Sequence, residues 1–205
     1  GINAEYGDIF MTQKVEEDLK YQDESGYQGA KKVGLEQALN ADQEDESLKK
    51  WKESLISKTA TAAKSDKHVI FDKLLISSAG LQNRLEFTFD QVRQSATDKT
   101  PLFTIKGGET FKIGYQYRVF NDIVMGLRVV QKVSRLGVAI AKGQNMMGCF
   151  APQEIPHEFF VEEIVAPAAA IARGTYYVKG VFGDDDEGDG AFGQLEFSFD
   201  IKKDW

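Results

Sequence analysis

The sequence predicts an all-β fold: an antiparallel β-sandwich preceded by a flexible, partly helical N-terminal arm. Three observations lead there. From residue 68 onward, apolar residues recur with period 2 in one short segment after another. Gly, Pro, Asn and Asp turns separate those segments, with no helical stretch between them. Charge is also divided unevenly: residues 1–48 carry 12 acidic and 4 basic side chains, and residues 49–205 carry 20 and 21. The formal net charge of −7 therefore belongs to the arm, and the body is nearly neutral.

Length and composition set the outer bounds. A chain of 205 residues with 42% hydrophobic content fits one large domain with an appended arm and can bury a real core. The lone Cys149 excludes a disulfide scaffold. No run of about 18 apolar residues is present, and residues 1–20 lack the apolar stretch of a signal peptide. A soluble, cytosolic protein is expected. The negative balance argues against nucleic acid as a partner, since a phosphate reader needs a basic face.

In chain order, residues 1–10 read as an expression scar, because Met11 looks like a natural start. Residues 11–58 form the acidic arm. Residues 11–30 are polar, with too little apolar surface to order themselves. Leu35 and Leu39 share one face of a short helix, and Asp45-Glu46-Ser47 leads into a second stripe of helical period, Leu48, Trp51, Leu55 and Ile56. Helices of two or three turns are marginal alone in water, so the arm should order only against a partner.

Residues 66–205 form the sandwich. His68–Ser78 is rich in β-branched residues, and Leu85, Phe87 and Phe89 alternate with polar ones. Phe111, Ile113, Tyr115, Tyr117 and Val119 make one long strand with a single inward face. Tyr176, Val178, Gly180 and Phe182 share a face, as do Leu195, Phe197, Phe199 and Ile201. Shorter candidates lie at 101–106, 125–134, 137–141, 145–150 and 157–161. Eight or nine strands of this kind read as a sandwich. All four Pro residues fall between 101 and 167, suiting turns and edges.

Candidate chemistry is sparse. Asp185, Glu187, Asp189, Gly190 and Glu196 match ligand and glycine positions of an EF-hand loop, but the flanks have strand rather than helix period, so an acidic hairpin is favoured. Cys149 with His68 or His157 could form a nucleophilic dyad, yet Cys149 follows Gly148 in an apolar strand, where a small buried hydrophobe is expected. One Cys and two His leave no metal-ligand spacing. The stretch 106–108 lacks a phosphate-cradling lysine motif. No cofactor and no catalysis are expected. The aromatic load, 14 Phe and 7 Tyr, either fills the core or lines an apolar slot between splayed sheets.

Several segments together resemble the Rho GDP-dissociation inhibitors: Asp45-Glu46-Ser47-Leu48-Lys49-Lys50-Trp51-Lys52-Glu53, Ile123-Val124-Met125-Gly126, Ile171-Ala172-Arg173-Gly174-Thr175-Tyr176, Asp184-Asp185-Asp186 and Ile201-Lys202-Lys203-Asp204-Trp205. The resemblance runs in order from about Tyr27 to Trp205. It implies an immunoglobulin-like sandwich behind a regulatory arm, and a non-enzymatic, monomeric partner of GDP-bound, prenylated Rho/Rac/Cdc42-type GTPases in a 1:1 complex. The arm would fold on the switch regions and slow GDP release. The sandwich would shelter the geranylgeranyl tail and extract the GTPase from membranes, meeting the bilayer only transiently.

By position, the resemblance assigns Tyr27, Asp45, Ser47, Leu48, Trp51, Leu55 and Asp186 to GTPase binding. It assigns Ile76, Phe103, Phe111, Ile123, Val178 and Phe197 to the prenyl slot. Phe197 stands where the family usually has Trp, Phe111 where it has Tyr, and Trp51 where it has Tyr. Ala141, Ile164 and Val165 replace acidic residues that would face the GTPase's basic tail, and Glu162 and Glu163, two residues earlier than the missing pair, are expected to substitute. Competing readings are an arm-independent lipid-binding chaperone of related sandwich fold and a calcium-dependent β-sandwich interaction module.

Overall fold

The structure is a computed structural model that describes residues 19–22, 68–185 and 187–205. The body contains, in order, β1 (Val69–Ser78), β2 (Leu85–Thr88), α1 (Phe89–Asp98), β3 (Phe103–Lys106), β4 (Thr110–Val119), β5 (Val124–Arg135), β6 (Val138–Phe150), β7 (His157–Phe160), β8 (Ile164–Val165), β9 (Gly174–Asp184) and β10 (Gly188–Lys202). Sheet 1 has the order β2-β1-β4-β7, with β8 also paired to β4. Sheet 2 has the order β3-β10-β9-β5-β6. Every pairing is antiparallel except β3 with β10, which run parallel with Phe103 opposite Phe199.

The alternation in β4 fixes the inner face of sheet 1. Phe111, Ile113, Tyr115, Tyr117 and Val119 are each 1% exposed or less. Burying each such side chain contributes about 1.5–3 kcal/mol. Facing them from sheet 2 are Tyr176, Val178 and Phe182 on β9 and Leu195, Phe197, Phe199 and Ile201 on β10, all in the same cluster. One half of the core, around Phe103, Phe111, Phe197 and Phe199, presents phenylalanine rings to one another. The other gathers Tyr115 and Tyr117 around a stacked Phe71–Phe182 pair, centroids 3.8 Å apart. The Tyr115 and Tyr117 hydroxyls are buried there without a hydrogen-bond partner among the described residues, and burial pushes both phenol pKa values up.

Three expectations need correction. A helix does interrupt the strands: period 2 stops at Thr88, and Phe89 opens α1 instead of closing a strand. Thr88 and Gln91 form a reciprocal capping box, the Gln91 N–H donating to Thr88 Oγ1 and the Thr88 N–H to Gln91 Oε1. Phe89 and Val92 then face the core. Secondly, the two candidates at 137–141 and 145–150 are one strand, because β5 pairs through the gap, with Lys132 opposite Lys142 and Gln131 opposite Gly143. Thirdly, Cys149 is exposed rather than buried, on the edge strand of sheet 2, where its Sγ accepts the Gly126 N–H at 3.4 Å.

Candidate functional site

The expected lipid-facing residues come from both sheets. Ile76 of β1 and Phe111 of β4 lie in sheet 1, and Phe103 of β3, Val178 of β9 and Phe197 of β10 lie in sheet 2. All five are buried in a single cluster. Phe103 sits 6.1 Å from Phe197, ring centre to ring centre. Ile123 is half-buried just ahead of β5 and is not among the members of that cluster. The residue joining the group is Phe199, which stacks on Phe103 at 5.2 Å and Tyr176 at 5.5 Å and meets Phe111 edge-on at 5.7 Å. Its signal was the period of β10, which places it one inward step from Phe197.

The acidic hairpin between β9 and β10 is built around a cation. Arg128 of β5, nearly buried, donates from Nη1 to Asp185 Oδ1 and from Nε to Asp189 Oδ1 at 2.9 Å. Gly126 makes room for this arrangement. Its φ is +68°, and a Cβ there would fall 2.7 Å from Asp185 Oδ2. Asp184 turns inward and accepts the Glu187 N–H at 2.7 Å. These contacts overturn the calcium-loop reading. Asp185 and Asp189 hold a guanidinium, Glu196 pairs with Lys179 at 3.1 Å, and both flanks are strands. Asp186, the expected GTPase contact, lies outside the described residues.

Part of the arm is seated on this same place. Leu19 is buried against Val130 and Val181, which point outward from β5 and β9. Tyr21 lies over Arg128, ring centre 4.7 Å from the guanidinium carbon, and its N–H donates to Asp189 Oδ2 at 2.8 Å. Gln22 and Gln144 of β6 exchange two hydrogen bonds, at 3.0 and 2.9 Å, and Lys142 Nζ donates to the Lys20 carbonyl. The expectation that residues 11–30 cannot order themselves is thus corrected for Leu19–Gln22. The missing apolar surface is supplied by the sheet. Tyr27, Asp45, Ser47, Leu48, Trp51 and Leu55 lie outside the described residues.

Glu162 and Glu163 are exposed in the link between β7 and β8, and Glu163 pairs with Lys112 at 3.1 Å. Ile164 and Val165 form β8 opposite Phe111 and Thr110. Ile164 packs on the core, whereas Val165 faces solvent.

Comparison with known proteins places these features in a family. Residues 12–204 match the model of the RHO protein GDP dissociation inhibitors. A Rho GDP-dissociation inhibitor of Schizosaccharomyces pombe is 35% identical over 176 residues, covering 85% of this chain and 84% of that protein. Rho GDP-dissociation inhibitor 1 of Arabidopsis thaliana is 33% identical, covering 83% and 70%. Rho GDP-dissociation inhibitor 1 of Homo sapiens is 31% identical, covering 87% and 86%. The chain belongs to the Rho GDP-dissociation inhibitor family, regulators of Rho GTPases and not enzymes.

Proposed function

We propose that this protein binds prenylated, GDP-bound Rho-type GTPases one to one, slows GDP release through its arm, and carries them through the cytoplasm with the geranylgeranyl tail between its sheets. The observation supporting the lipid part is the phenylalanine half of the core. Phe103, Phe111, Phe197 and Phe199 span both sheets without one polar side-chain atom, so apolar carbon entering between them meets only apolar carbon. A tail of about 20 carbons gains about 0.8 kcal/mol per buried CH₂, enough to compete with a bilayer only inside such a slot. To admit it, the closely packed rings must part, which makes entry a change of packing rather than the filling of a hole.

The arm and the slot then reinforce one another. With the lipid held, the arm meets the GTPase at a raised effective concentration, and weak contacts by Asp45, Ser47, Leu48, Trp51 and Leu55 suffice. Tyr27 is assigned to seating the arm and Asp186 to meeting the GTPase from the hairpin. Ile76, Ile123 and Val178 complete the slot lining. Glu162 and Glu163 receive the GTPase's basic tail, with Glu163 exchanging Lys112 for the incoming cation.

The test is release of a prenylated Rho-type GTPase from vesicles into the supernatant. Phe197→Asp places a carboxylate among the rings, where an isolated charge is strongly disfavoured, and should abolish release. Phe197→Ala keeps the site apolar and guards against mere unfolding; it should weaken release in a protein whose circular dichroism remains β-rich. Deleting residues 1–58 should restore rapid GDP exchange while tail binding persists. Undiminished release by a folded Phe197→Asp protein would sink the lipid assignment.

A further inference from the structure

The hairpin joining β5 to β6 turns on Leu136 and Gly137, both at positive φ, +50° and +79°. Arg135 and Val138 face each other across it. Two central residues at positive φ define the tight primed turn, whose favoured residues are Asn, Asp and Gly. Leucine fits badly, because its Cβ crowds the backbone in the left-handed region. At 84% exposed, Leu136 recovers nothing by burial. Neither folding nor solubility favours leucine here, so the turn carries strain and an exposed apolar side chain together.

Leu136 has apolar company. Val138 and Ile140 are more than half exposed, and Ile140 is the extra residue where β6 bulges, Val133 opposing Ala141 and Ser134 opposing Ala139. Ile171, 85% exposed, lies in the neighbouring loop. Arg135 ties that loop to the hairpin: its Nη2 donates to the carbonyls of Ile171 and Arg173, each at 2.8 Å. The same guanidinium rests over the Tyr176 ring, so hairpin and loop form one unit anchored on the core. Residues 132–143 and 166–179 contain Lys132, Arg135, Lys142, Arg173 and Lys179 and no acidic residue. Within them, Lys179 pairs with Glu196 and Lys142 also donates to the Lys20 carbonyl; the bonds of Lys142 and Arg135 to neutral carbonyls leave their positive charge uncompensated among the described residues.

We propose that the β5–β6 hairpin tip, together with Ile171, is a membrane-contact surface that inserts Leu136, Val138 and Ile171 among the headgroups of an anionic bilayer. Charge complementarity selects this occupant. Apolar tips on two segments that themselves carry cations and no carboxylate match an interface that is apolar beneath and negative at its surface. The excess negative charge of the whole chain sits in residues 1–48, outside both segments. The surface goes beyond the GTPase reading and needs no GTPase to be detected.

The experiment is co-sedimentation of the full-length protein, without GTPase, with vesicles of phosphatidylcholine alone or mixed with phosphatidylserine, at low and high salt. Wild type should bind the mixed vesicles preferentially and lose binding as salt rises. Leu136→Asn suits the turn, so its melting temperature should hold or rise while vesicle affinity falls up to about tenfold, the equivalent of about 1.4 kcal/mol. Ile171→Ser and Arg173→Glu should each weaken binding, the latter most at low salt. Absence of wild-type binding at low salt, or unchanged binding by all three variants, overturns the proposal. So does a self-associated protein that Leu136→Asn converts to monomer, which would assign the patch to a second copy. Tail sheltering and GDP release are measured separately and stand or fall on their own assays.

Discussion

Two arginines, one on each outer face of the sandwich, make similar contacts with different consequences. On sheet 1, Arg84 donates two parallel bonds to Glu158 at 2.8 and 2.9 Å and a third to Glu86 at 2.7 Å. Lys73 and Gln116 extend that network. On sheet 2, Arg128 makes one bond each to Asp185 and Asp189. Geometry alone would rank Arg84 higher, since bidentate pairing is the stronger form. Solvent reverses the ranking: the Arg84 side chain is 37% exposed and that of Arg128 only 10%. Exposed pairs are worth little, while losing one partner of a desolvated group leaves the other uncompensated. The arginines differ in topology too, because Arg128 joins β5, the β9–β10 hairpin and the arm segment.

The strongest test of this contrast is Arg128→Ala. It leaves Asp185 and Asp189 facing each other without their cation, and should cost about 3 kcal/mol in denaturant unfolding. Arg128→Lys should recover only part, because an ammonium cannot reach both carboxylates as a planar fork does. A loss no larger than that of Arg84→Ala would erase the distinction.

Tyr21→Ala should act more locally. It removes a cation–π contact and a ring from the sheet, about 1–2 kcal/mol. The cost should fall on docking of residues 19–22 rather than on the sandwich, because Tyr21 packs on the small outer cluster of Leu19, Val130 and Val181 and not on the cluster between the sheets. Amide exchange around Leu19–Gln22 should accelerate while the global melt scarcely moves. Equal acceleration across β5 and β9 would mean the segment is part of the fold proper.

The smallest effect belongs to Arg84→Ala, and pH exposes it best. Hydrogen bonds from Lys73 and Arg84 hold the Glu86 carboxyl below the ordinary range, and a hydrogen bond from Arg84 chiefly does the same for Glu158. A depressed carboxylate pKa stabilises the fold above the unfolded-state value, and that contribution fades as pH falls through the folded value. Titration below about pH 4.5 should therefore cost wild type more stability than Arg84→Ala, with a small difference at neutral pH. Parallel acid unfolding curves would show that the network contributes nothing.

Strands that bury one face are readable from the sequence, since β4 and the Leu195–Ile201 part of β10 alternate without interruption. The sandwich followed from those. The capping box Thr88-Phe89-Asp90-Gln91 was equally legible, but the period of Leu85 and Phe87 carried the reading one residue too far. Leu19–Gln22 was harder, because the segment is polar and its apolar partner is more than a hundred residues away in sequence. A clue did exist. Val129 and Val130 are adjacent apolar residues, which in a strand point to opposite faces, and both are fully buried, so β5 is covered on both sides. The exposure of Cys149 was hidden by the register shifts between β5 and β6, which break the alternation that makes facing predictable. Of the residues expected to face lipid, Phe111, Val178 and Phe197 are marked as inward-facing by alternation, whereas Ile123 stands ahead of its strand, where period says nothing.

The parallel pairing of β3 with β10 bears on how the protein is made. Within sheet 2, β3 has no neighbour except β10, and β10 also supplies Phe197 and Phe199 to the rings around Phe103. On a ribosome β10 emerges last among these strands. Until its residues are free, β3 has an unpaired edge, β9 lacks one partner, and the phenylalanine half of the core is incomplete. Long-range pairing of this kind is slow, and it leaves apolar edges open to other chains meanwhile. Completion of the body therefore waits for β10 and is nearly all-or-none. A nascent chain halted before residue 188 would lack the rings of Phe197 and Phe199 and also Asp189, the acceptor of the Tyr21 N–H, so neither the core nor the seat of Leu19–Gln22 could be complete.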